Sequence, residues 1–355
     1  MKIIHSADIH LGSKIDNKFK SISDERKTDV RNSFAKMVEY AKDNNCNTIL
    51  LSGDVFDSNK PLKKDKDFFY SIIKKYSDIN FYYLRGNHDA YELNSESFSN
   101  LITFNDNWSY HTINNIVISS IEITENNASS LYSTLSLDDD KINIVMLHGQ
   151  ISDSEGVDKI RLSKLSNKNI DYLALGHIHS YSEGKLDTRG KYVYSGCLEG
   201  RGFDETLEKG FVLLDINEND KKITNEFIPF SSKVIYEINV DVSSKNSTFE
   251  IIQEVKNALK AYDKEHIYRV NIVGEIDYNI NFTNEDINRY LNDYYFIDIK
   301  NKTTKKIDIE KYKNDLSLRG EFIRMVLDNK ELSDERKNKI IMLGLRLLEG
   351  NEVDL

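Results

Sequence analysis

The chain has 355 residues, of which 39% are hydrophobic and 30% are charged, a balance typical of a globular protein rather than a disordered one. No apolar run approaches the roughly 20 residues of a membrane-spanning helix, and the N-terminal apolar stretch is too short for a signal peptide. The formal net charge of −10 argues against a broad basic surface that coats nucleic acid, although bound cations or a partner subunit can offset it. Cys46 and Cys197 lie far apart and predict no structural disulfide, which favours the cytoplasm.

The first half of the chain alternates short apolar runs with amphipathic stretches, which predicts a layered α/β domain. Helices are predicted around Val30–Ala41 and Phe68–Tyr76. Strands are predicted at Lys2–Ser6, Thr48–Ser52, Phe81–Leu84, Ile116–Ile121, Ile142–Leu147, Tyr172–Leu175, Tyr192–Tyr194 and Gly210–Ile216. Because no helices separate the strands after about residue 190, part of the sheet is expected to be antiparallel or mixed.

A change of pattern near Pro229 predicts the end of this first domain. A small α/β unit is predicted beyond it from strands at Val234–Val242, Ile267–Val273 and Tyr294–Ile299 and helices at Phe249–Tyr262 and Asp286–Leu291. The basic run Lys300–Lys306 is interpreted as a solvated linker rather than a nucleic-acid contact. Two amphipathic helices follow, the second with Ser333 as its N-cap.

Five short polar motifs come directly after predicted strands. In chain order they are Asp8-Ile9-His10, Gly53-Asp54-Val55-Phe56-Asp57, Gly86-Asn87-His88-Asp89, Leu147-His148-Gly149 and Gly176-His177-Ile178-His179. The carboxyl ends of strands in open α/β sheets line the crevice where ligands bind. Each motif alone also fits an ordinary turn or a satisfied polar pair, but five in this order, each at a strand end, favour one shared site.

The chemistry of these side chains predicts a pair of metal ions. Carboxylates, imidazoles and one amide suit manganese, iron or zinc better than calcium, and the motifs contain no thiolate of a structural zinc site. The pairs Asp8/His10 and His177/His179 have the i, i+2 spacing that points both side chains to one side of extended backbone. Two ions about 3.5–4 Å apart can hold the attacking and departing oxygens of a phosphoryl transfer.

The order of these motifs resembles the calcineurin-like metallophosphoesterase superfamily over roughly the first 230 residues. The resemblance implies one ion held by Asp8, His10, Asp54 and His179, and a second held by Asp54, Asn87, His148 and His177. It also implies that His88 protonates the leaving oxygen and that Asp57 hydrogen-bonds His88, with a turn-capping role as the alternative for Asp57. Arg85 and Arg201 are predicted to contact phosphate, the alternative being two ordinary surface arginines.

The flanking residues are more similar to the SbcD-type DNA-repair exonuclease family than to protein phosphatases. That similarity lies in His5–Gly12, Leu51–Asp57 and Tyr172–His179, whereas Ser58-Asn59-Lys60 replaces the arginine-glycine pair usual in protein phosphatases. Similarity to the YhaO-like branch lies in Tyr194–Arg201, Glu208–Phe211 and Leu318–Ile323.

This resemblance implies an overall architecture and a set of partners. Residues 1–230 are expected to form a four-layer α/β/β/α metallophosphoesterase sandwich, residues 231–305 a small α/β capping domain, and residues 306–355 C-terminal helices. The implied partners are DNA, a second copy of the chain, and an SMC-like ATPase with a long coiled coil (SbcC-like) that docks on the helices after Lys311. Those helices could equally pack on the capping domain, since amphipathic pattern alone does not distinguish the two.

Three functions remain open at this level. The leading hypothesis is a DNA exonuclease that uses two divalent ions, expected to be Mn²⁺, with single-strand endonuclease activity as well. The second is a phosphodiesterase that acts on a small nucleotide. The third is a mainly structural subunit of the ATPase complex, which the complete set of motifs including His88 and Asp57 argues against.

Overall fold

A computed structural model describes residues 1–89, 98–307 and 314–348. The chain divides into two compact units, Met1–Tyr236 and Glu237–Leu355. In the described part of the chain, every helix is too short or too polar to cross a membrane.

The first unit contains a six-stranded mixed sheet built on the N-terminal strand. Its strands, in spatial order, are β14 (Lys222–Pro229), β13 (Gly210–Asn217), β1 (Lys2–Ser6), β2 (Thr48–Ser52), β3 (Asn80–Leu84) and β4 (Leu101–Thr103). The four strands from β1 to β4 run parallel, while β13 and β14 are antiparallel to their neighbours. Helices α1 (Ser23–Asp43) and α2 (Lys63–Lys75) connect the parallel strands, preceded by a 3₁₀ helix at Asn17–Ile22.

A second six-stranded sheet completes the first unit. Its spatial order is β11 (Ser182–Lys185), β12 (Lys191–Tyr194), β10 (Tyr172–Gly176), β7 (Ile142–His148), β6 (Ile116–Ser120) and β5 (Ser109–Ile113). The inner four strands are parallel and the two edge strands are antiparallel. Short elements accompany it: α3 (Leu131–Thr134), β8 (Gln150–Ile151), β9 (Lys159–Ile160) and α4 (Leu162–Leu165).

Three buried apolar clusters hold these layers together. The cluster between the sheets joins Ile3 and Leu50 of one to Ile144 and Tyr172 of the other. Phe34 of α1 and Phe69 of α2 pack on the outer face of the first sheet. Leu131, Leu165 and their neighbours cover the outer face of the second. The expected α/β/β/α sandwich is confirmed, with a fourth layer made only of one-turn helices and loops.

The predicted strands of the first unit are confirmed to within a residue or two. The strands at Leu101–Thr103, Ser109–Ile113, Ser182–Lys185 and Lys222–Pro229 were not predicted. They are short or half-exposed edge elements, and their polar composition hides them from a search for apolar runs. Pro229 is the last residue of edge strand β14, where a missing N–H disrupts no inner hydrogen bond.

The second unit is a small α/β assembly followed by two helices. A three-stranded sheet consists of β15 (Ile235–Asp241), β16 (Ile267–Val273) and β18 (Phe296–Asn301). Two short strands, β17 (Glu275–Asp277) and β19 (Thr304–Lys306), pair with each other. The helices are α5 (Thr248–Leu259), α6 (Asn284–Asn288), α7 (Leu318–Asp328) and α8 (Asp334–Leu348). Ile323 of α7 and Ile341 of α8 are buried in one cluster. The Ser333 hydroxyl accepts a hydrogen bond from the Arg336 N–H at 3.4 Å, which confirms the predicted N-cap.

The interpretation of Lys300–Lys306 as a linker is wrong. The run begins inside β18, and Thr304–Lys306 pairs in parallel with Glu275–Asp277. Cross-strand partners distant in sequence stabilise this polar segment, and a local pattern does not reveal them. Lys311, where the predicted docking helices begin, lies outside the described residues.

A buried histidine in β1 makes the stability of the first unit sensitive to acid. His5 is fully buried and lies 3.0 Å from the Tyr172 hydroxyl, and burial lowers its pKa to about 3. The unfolded chain therefore takes up a proton near pH 6.5 that the folded chain does not, so stability is full above that pH and falls as the pH drops toward the folded value.

We expect the free energy of unfolding to fall more steeply with acid in the wild type than in His5→Gln. The difference in slope should approach about 1.4 kcal/mol per pH unit below pH 6.5, because glutamine carries no titrating group. Urea denaturation at a series of pH values measures it. Identical slopes in the two proteins would show that His5 does not carry this acid sensitivity.

Candidate metal centre

The predicted metal ligands from both sheets converge on one site. Asp8 and Asp54 follow β1 and β2 of the first sheet, while His148 ends β7 and His177 follows β10 of the second. Two hydrogen bonds link the sheets at this point. His148 Nδ1 lies 2.9 Å from the Ser52 carbonyl oxygen, and the His177 N–H lies 3.0 Å from both Asp8 carboxylate oxygens.

Several of these residues adopt left-handed backbone conformations that L-residues rarely occupy. The φ angles of Asp8, His10, Asp54 and His177 are 52°, 52°, 53° and 97°. Such conformations cost about 1–3 kcal/mol each and persist where the surrounding structure enforces them, most often at functional sites. Here main-chain hydrogen bonds hold the two loops together, from Asp8 N–H to Gly53 and from His10 N–H to Asp54, each 3.0 Å.

One cluster of potential ligands comprises Asp8, His10 and His179, whose donor atoms lie within 4.8 Å of one another. His10 Nε2 is 3.2 Å from His179 Nε2 and 3.9 Å from Asp54 Oδ2. The opposite nitrogen of each ring faces a carboxylate: His10 Nδ1 is 3.0 Å from Asp57 Oδ1, and His179 Nδ1 is 2.7 Å from Glu205 Oε1.

The second cluster comprises Asp8, Asp54 and His148, again with donor atoms within 4.8 Å of one another. Asn87 joins it, since its Oδ1 lies 3.0 Å from His148 Nε2 and 3.3 Å from His177 Nδ1. Asp54 Oδ2 is 3.4 Å from His148 Nε2 and also approaches His10, so this carboxylate lies between the two clusters. The structure therefore brings together all seven side chains for which a metal role is predicted.

The donor set fits a pair of divalent cations. When Nδ1 of His10 and His179 carries the proton toward its carboxylate, both Nε2 atoms present lone pairs to each other at 3.2 Å. The same holds for His148 Nε2 and Asn87 Oδ1, because His148 Nδ1 donates to Ser52. Facing lone pairs repel, and a cation between them turns the repulsion into coordination. Protein partners on the second nitrogen of ligating histidines are the usual arrangement.

The electrostatics of the site reflect this excess of acceptors. Burial alone would lower the pKa of His148, yet the Asp54 carboxylate raises it to about 9. Burial opposes ionisation of Asp54, but its contacts with His148 and His10 hold the pKa of that carboxyl below its usual range. A proton on His148 therefore substitutes for the positive charge that a cation would supply.

Asp89 organises the turn that carries Asn87 and His88. Its carboxylate accepts hydrogen bonds from the Phe56 and Gly86 N–H groups, both 2.8 Å. Burial and the nearby Asp54 charge raise the pKa of Asp89 to about 7. The His88 N–H donates to Asp54 Oδ1 at 2.9 Å, so the turn is tied directly to the carboxylate that lies between the two clusters.

Asp57 contacts His88 through its main chain rather than through its carboxylate. His88 is exposed, and its Nδ1 lies 3.3 Å from the main-chain carbonyl oxygen of Asp57. The Asp57 carboxylate instead contacts His10 and, at 3.0 Å, the Arg201 guanidinium. The charge of Arg201 draws the carboxylate away, so the carbonyl is the group placed to orient the His88 ring.

The two predicted phosphate-binding arginines are both engaged with carboxylates. Arg85 makes a bidentate contact with Glu122, with both N···O distances 2.5 Å. Arg201 contacts Glu205 and Asp57, and only 14% of its side chain is exposed. The structure thus places both arginines beside the site while directing their guanidinium groups toward protein acids. Their contact with phosphate stays a prediction.

Glu205 contacts the candidate ligand His179 but is not among the site residues predicted from sequence. It lies in a loop before β13, in the run Gly202-Phe203-Asp204-Glu205, which contains no motif and follows no strand end. Only the folded chain brings it to His179. Arg201, which contacts Glu205, is predicted from sequence to contact phosphate. No nearby sequence pattern indicates that it pairs with two acids.

Gly53 allows the close approach of the two sheets and gives a direct test of the geometry. Its φ is +95°, and a Cβ atom there would lie 2.2 Å from His148 Nδ1. We expect Gly53→Ala to destabilise the protein by more than about 1 kcal/mol and to weaken metal binding, because His148 has to move. Gly156→Ala is the matched control, since its Cβ would first meet the flexible Lys159 side chain at 3.3 Å. Denaturation and calorimetric Mn²⁺ titration of both variants measure this, and equal behaviour would contradict it.

Comparisons with known proteins agree with the geometry. Residues 1–181 match the family described as calcineurin-like phosphoesterase. The DNA double-strand break repair protein Mre11 of Sulfolobus acidocaldarius is 26% identical over 299 residues, covering 78% of this chain and 76% of that protein. Its namesake in Methanosarcina acetivorans is 22% identical over 307 residues, covering 82% of this chain but 48% of that protein, so the chain spans about half of that relative.

Similarity also extends to solved structures. A dimetal phosphatase from Danio rerio superposes with a TM-score of 0.44 at 10% identity, covering 60% of this chain and 92% of that one. The family match alone spans half of the chain and contains all five motifs. The chain belongs to the calcineurin-like phosphoesterase family and is a metal-dependent hydrolase of phosphoesters.

Proposed function

We propose that the chain is a DNA-repair nuclease that hydrolyses phosphodiesters with two divalent ions, expected to be Mn²⁺. Exonuclease activity, accompanied by endonuclease activity on single strands, is the form that the SbcD-type resemblance implies. The observation that carries the proposal is the convergence of seven candidate ligands on two adjoining clusters, which have Asp8 in common and Asp54 between them. The choice of DNA as the substrate is supported by the relative from Sulfolobus acidocaldarius, which is named a DNA double-strand break repair protein and aligns over 76% of its length.

The proposed metal assignment follows the two clusters. Asp8, His10, Asp54 and His179 would hold one ion, and Asp54, Asn87, His148 and His177 the other. Bound ions supply Lewis acidity and lower the pKa of bound water. The protein's part is to fix these ligands and to exclude alternative ring orientations, through Asp57, Ser52 and Glu205 on the opposite ring nitrogens.

His88 is the proposed proton donor to the leaving oxygen. Its side chain is exposed, as a group that must reach the substrate has to be. Its Nδ1 faces the Asp57 carbonyl at 3.3 Å, which leaves Nε2 to exchange a proton with the phosphodiester. Its main chain is bonded to Asp54, so the ring is anchored beside the metal ligands although it is not counted among them.

A basic cavity beside the site supports a polyanionic substrate despite the acidic net charge. A cavity of about 490 Å³ adjoins Asp57 and is lined by five cationic side chains, Lys14, Lys27, Arg31, Lys60 and Lys64. Asp57 and Asp65 are its only acidic lining residues within the described chain. Concentrating positive charge next to the metals is how an acidic protein can still attract a phosphate backbone.

We expect Asp54→Ala and His88→Ala to separate metal binding from turnover. Asp54→Ala should abolish cleavage of an end-labelled DNA duplex in Mn²⁺, because both clusters lose a shared ligand. His88→Ala should keep both ions and lose about 10²–10⁴-fold in rate, the usual contribution of a proton donor. Activity that survives chelation or Asp54→Ala would sink the proposal, and loss of metal in His88→Ala would remove its assigned role.

Lys60 and Lys64 give a test that distinguishes DNA from a small nucleotide. Both are exposed, so replacing them should leave the fold intact. If the DNA backbone follows this cavity, Lys60→Ala/Lys64→Ala should reduce the slope of log affinity against log salt by about 2. Lys74→Ala/Lys75→Ala, at the other end of α2, is the control of equal charge. Fluorescence anisotropy with a labelled duplex in chelator measures the slopes; equal slopes would favour a small nucleotide instead.

The remaining features of the proposed assembly follow from the family resemblance. We propose a cytoplasmic homodimer that serves as the nuclease subunit of a complex with an SMC-like ATPase of the SbcC type. The capping domain at residues 231–305 and the C-terminal helices at residues 306–355 would be its accessory parts. The exposed apolar side chains Leu318 and Met325 on α7 are compatible with partner docking there.

A further inference from the structure

Arg201 links the two acids that orient the histidines of one metal cluster. Its Nε and Nη2 atoms both contact Glu205, at 3.2 and 2.6 Å, while its Nη1 contacts Asp57 at 3.0 Å. Glu205 faces His179 Nδ1 and Asp57 faces His10 Nδ1. One guanidinium therefore connects two carboxylates, and through them two imidazoles whose Nε2 atoms lie 3.2 Å apart.

The geometry requires the planar fork of an arginine. The Nε and Nη2 side meets Glu205 as a bidentate pair, and the Nη1 atom reaches Asp57 on the other side. A lysine supplies a single ammonium point and cannot make both contacts with fixed relative orientation. Arg201 Nη2 is also 3.1 Å from His179 Nδ1. Glu205 lies nearer, at 2.7 Å, and is negatively charged, so it accepts the hydrogen bond from the Nδ1–H group of the ring.

A second buried ion pair fixes the chain segment that carries Arg201. Arg26 of α1 is fully buried and donates to the Glu199 carboxylate at 2.9 Å and to the Gly200 carbonyl at 2.7 Å. The Arg201 N–H donates to Glu205 at 2.7 Å, so the main chain and the side chain of Arg201 engage the same acid. The position of the guanidinium is thus set by the core of the first unit rather than by solvent.

We propose that Arg201 is a positioning residue, which holds Glu205 and Asp57 so that His10 and His179 present their Nε2 atoms to one cation. The proposal rests on the metal assignment made above and concerns only the cluster of Asp8, His10 and His179. It replaces a phosphate contact as the main role of this arginine. Only 14% of its side chain is exposed, and two carboxylates already accept hydrogen bonds from its guanidinium.

The test is ion binding by the substrate-free, full-length protein. Arg201→Lys keeps the positive charge, so a change in affinity reports orientation rather than altered attraction for the cation. Glu205→Gln keeps the size of the side chain but removes its negative charge and one of the two oxygens that accept from His179 and Arg201. Arg189→Lys is the matched control, because Arg189 makes a similar bidentate pair with Asp171 at the opposite end of β10. Calorimetric and electron-paramagnetic-resonance titrations with Mn²⁺ give the affinity of each of the two ions.

Arg201→Lys and Glu205→Gln should each lower the binding affinity for one of the two ions by about 10–100-fold and leave the affinity for the other unchanged. Neither variant should shift the melting temperature more than Arg189→Lys does. Unchanged affinities for both ions in Arg201→Lys and Glu205→Gln would overturn the proposal and leave a phosphate contact as the predicted role of Arg201. Parallel loss of both ions and of thermal stability would overturn it in favour of a general structural role. Because no DNA enters the titration, the result stands even if the chain proves to cleave another phosphoester.

Discussion

Lone pairs that face one another are the constraint on which the arrangement of this protein depends. His10 and His179 face each other with Nε2 lone pairs at 3.2 Å when each Nδ1 carries the ring proton, and neutral His148 faces Asn87 Oδ1 in the same way at 3.0 Å. In a buried place such contacts are unfavourable unless positive charge lies between them. The raised pKa of His148 shows the same demand, because the Asp54 carboxylate holds a proton where a cation would otherwise supply the charge. The fold is thus built to bring acceptors together and to leave their neutralisation to bound ions.

The core between the two sheets holds these acceptor groups in place. The unfavourable backbone conformations at Asp8, His10 and Asp54 are local. The apolar cluster between the sheets and the hydrogen bonds from His148 to Ser52 and from His177 to Asp8 act together to offset their cost. The rings of His10, His148 and His179 are each held on their second nitrogen by a carboxylate or a carbonyl. The resulting rigidity is the physical basis of a site that can bind two ions without reorganising.

The convergence of the candidate metal ligands could be predicted from sequence because their residue types and their positions after apolar runs are local properties. Asp54 and His148, for example, each follow or end a strand whose apolar run is unmistakable. Glu205 could not be predicted, since its role depends on a loop meeting His179 only in the folded chain. The contact of the Asp57 carboxylate with Arg201 could not be predicted for a related reason, because Arg201 is distant in sequence. Thr304–Lys306 was missed as a strand because its polar residues are stabilised by pairing rather than by burial.

The most direct test of the central claim is anomalous diffraction from crystals of the protein soaked or grown with Mn²⁺. We expect two peaks about 3.5–4 Å apart. One should lie among Asp8, His10 and His179, the other among Asn87, His148 and His177, with Asp54 between them. A single peak, or ions bound away from these side chains, would contradict a two-ion centre and with it the proposed chemistry.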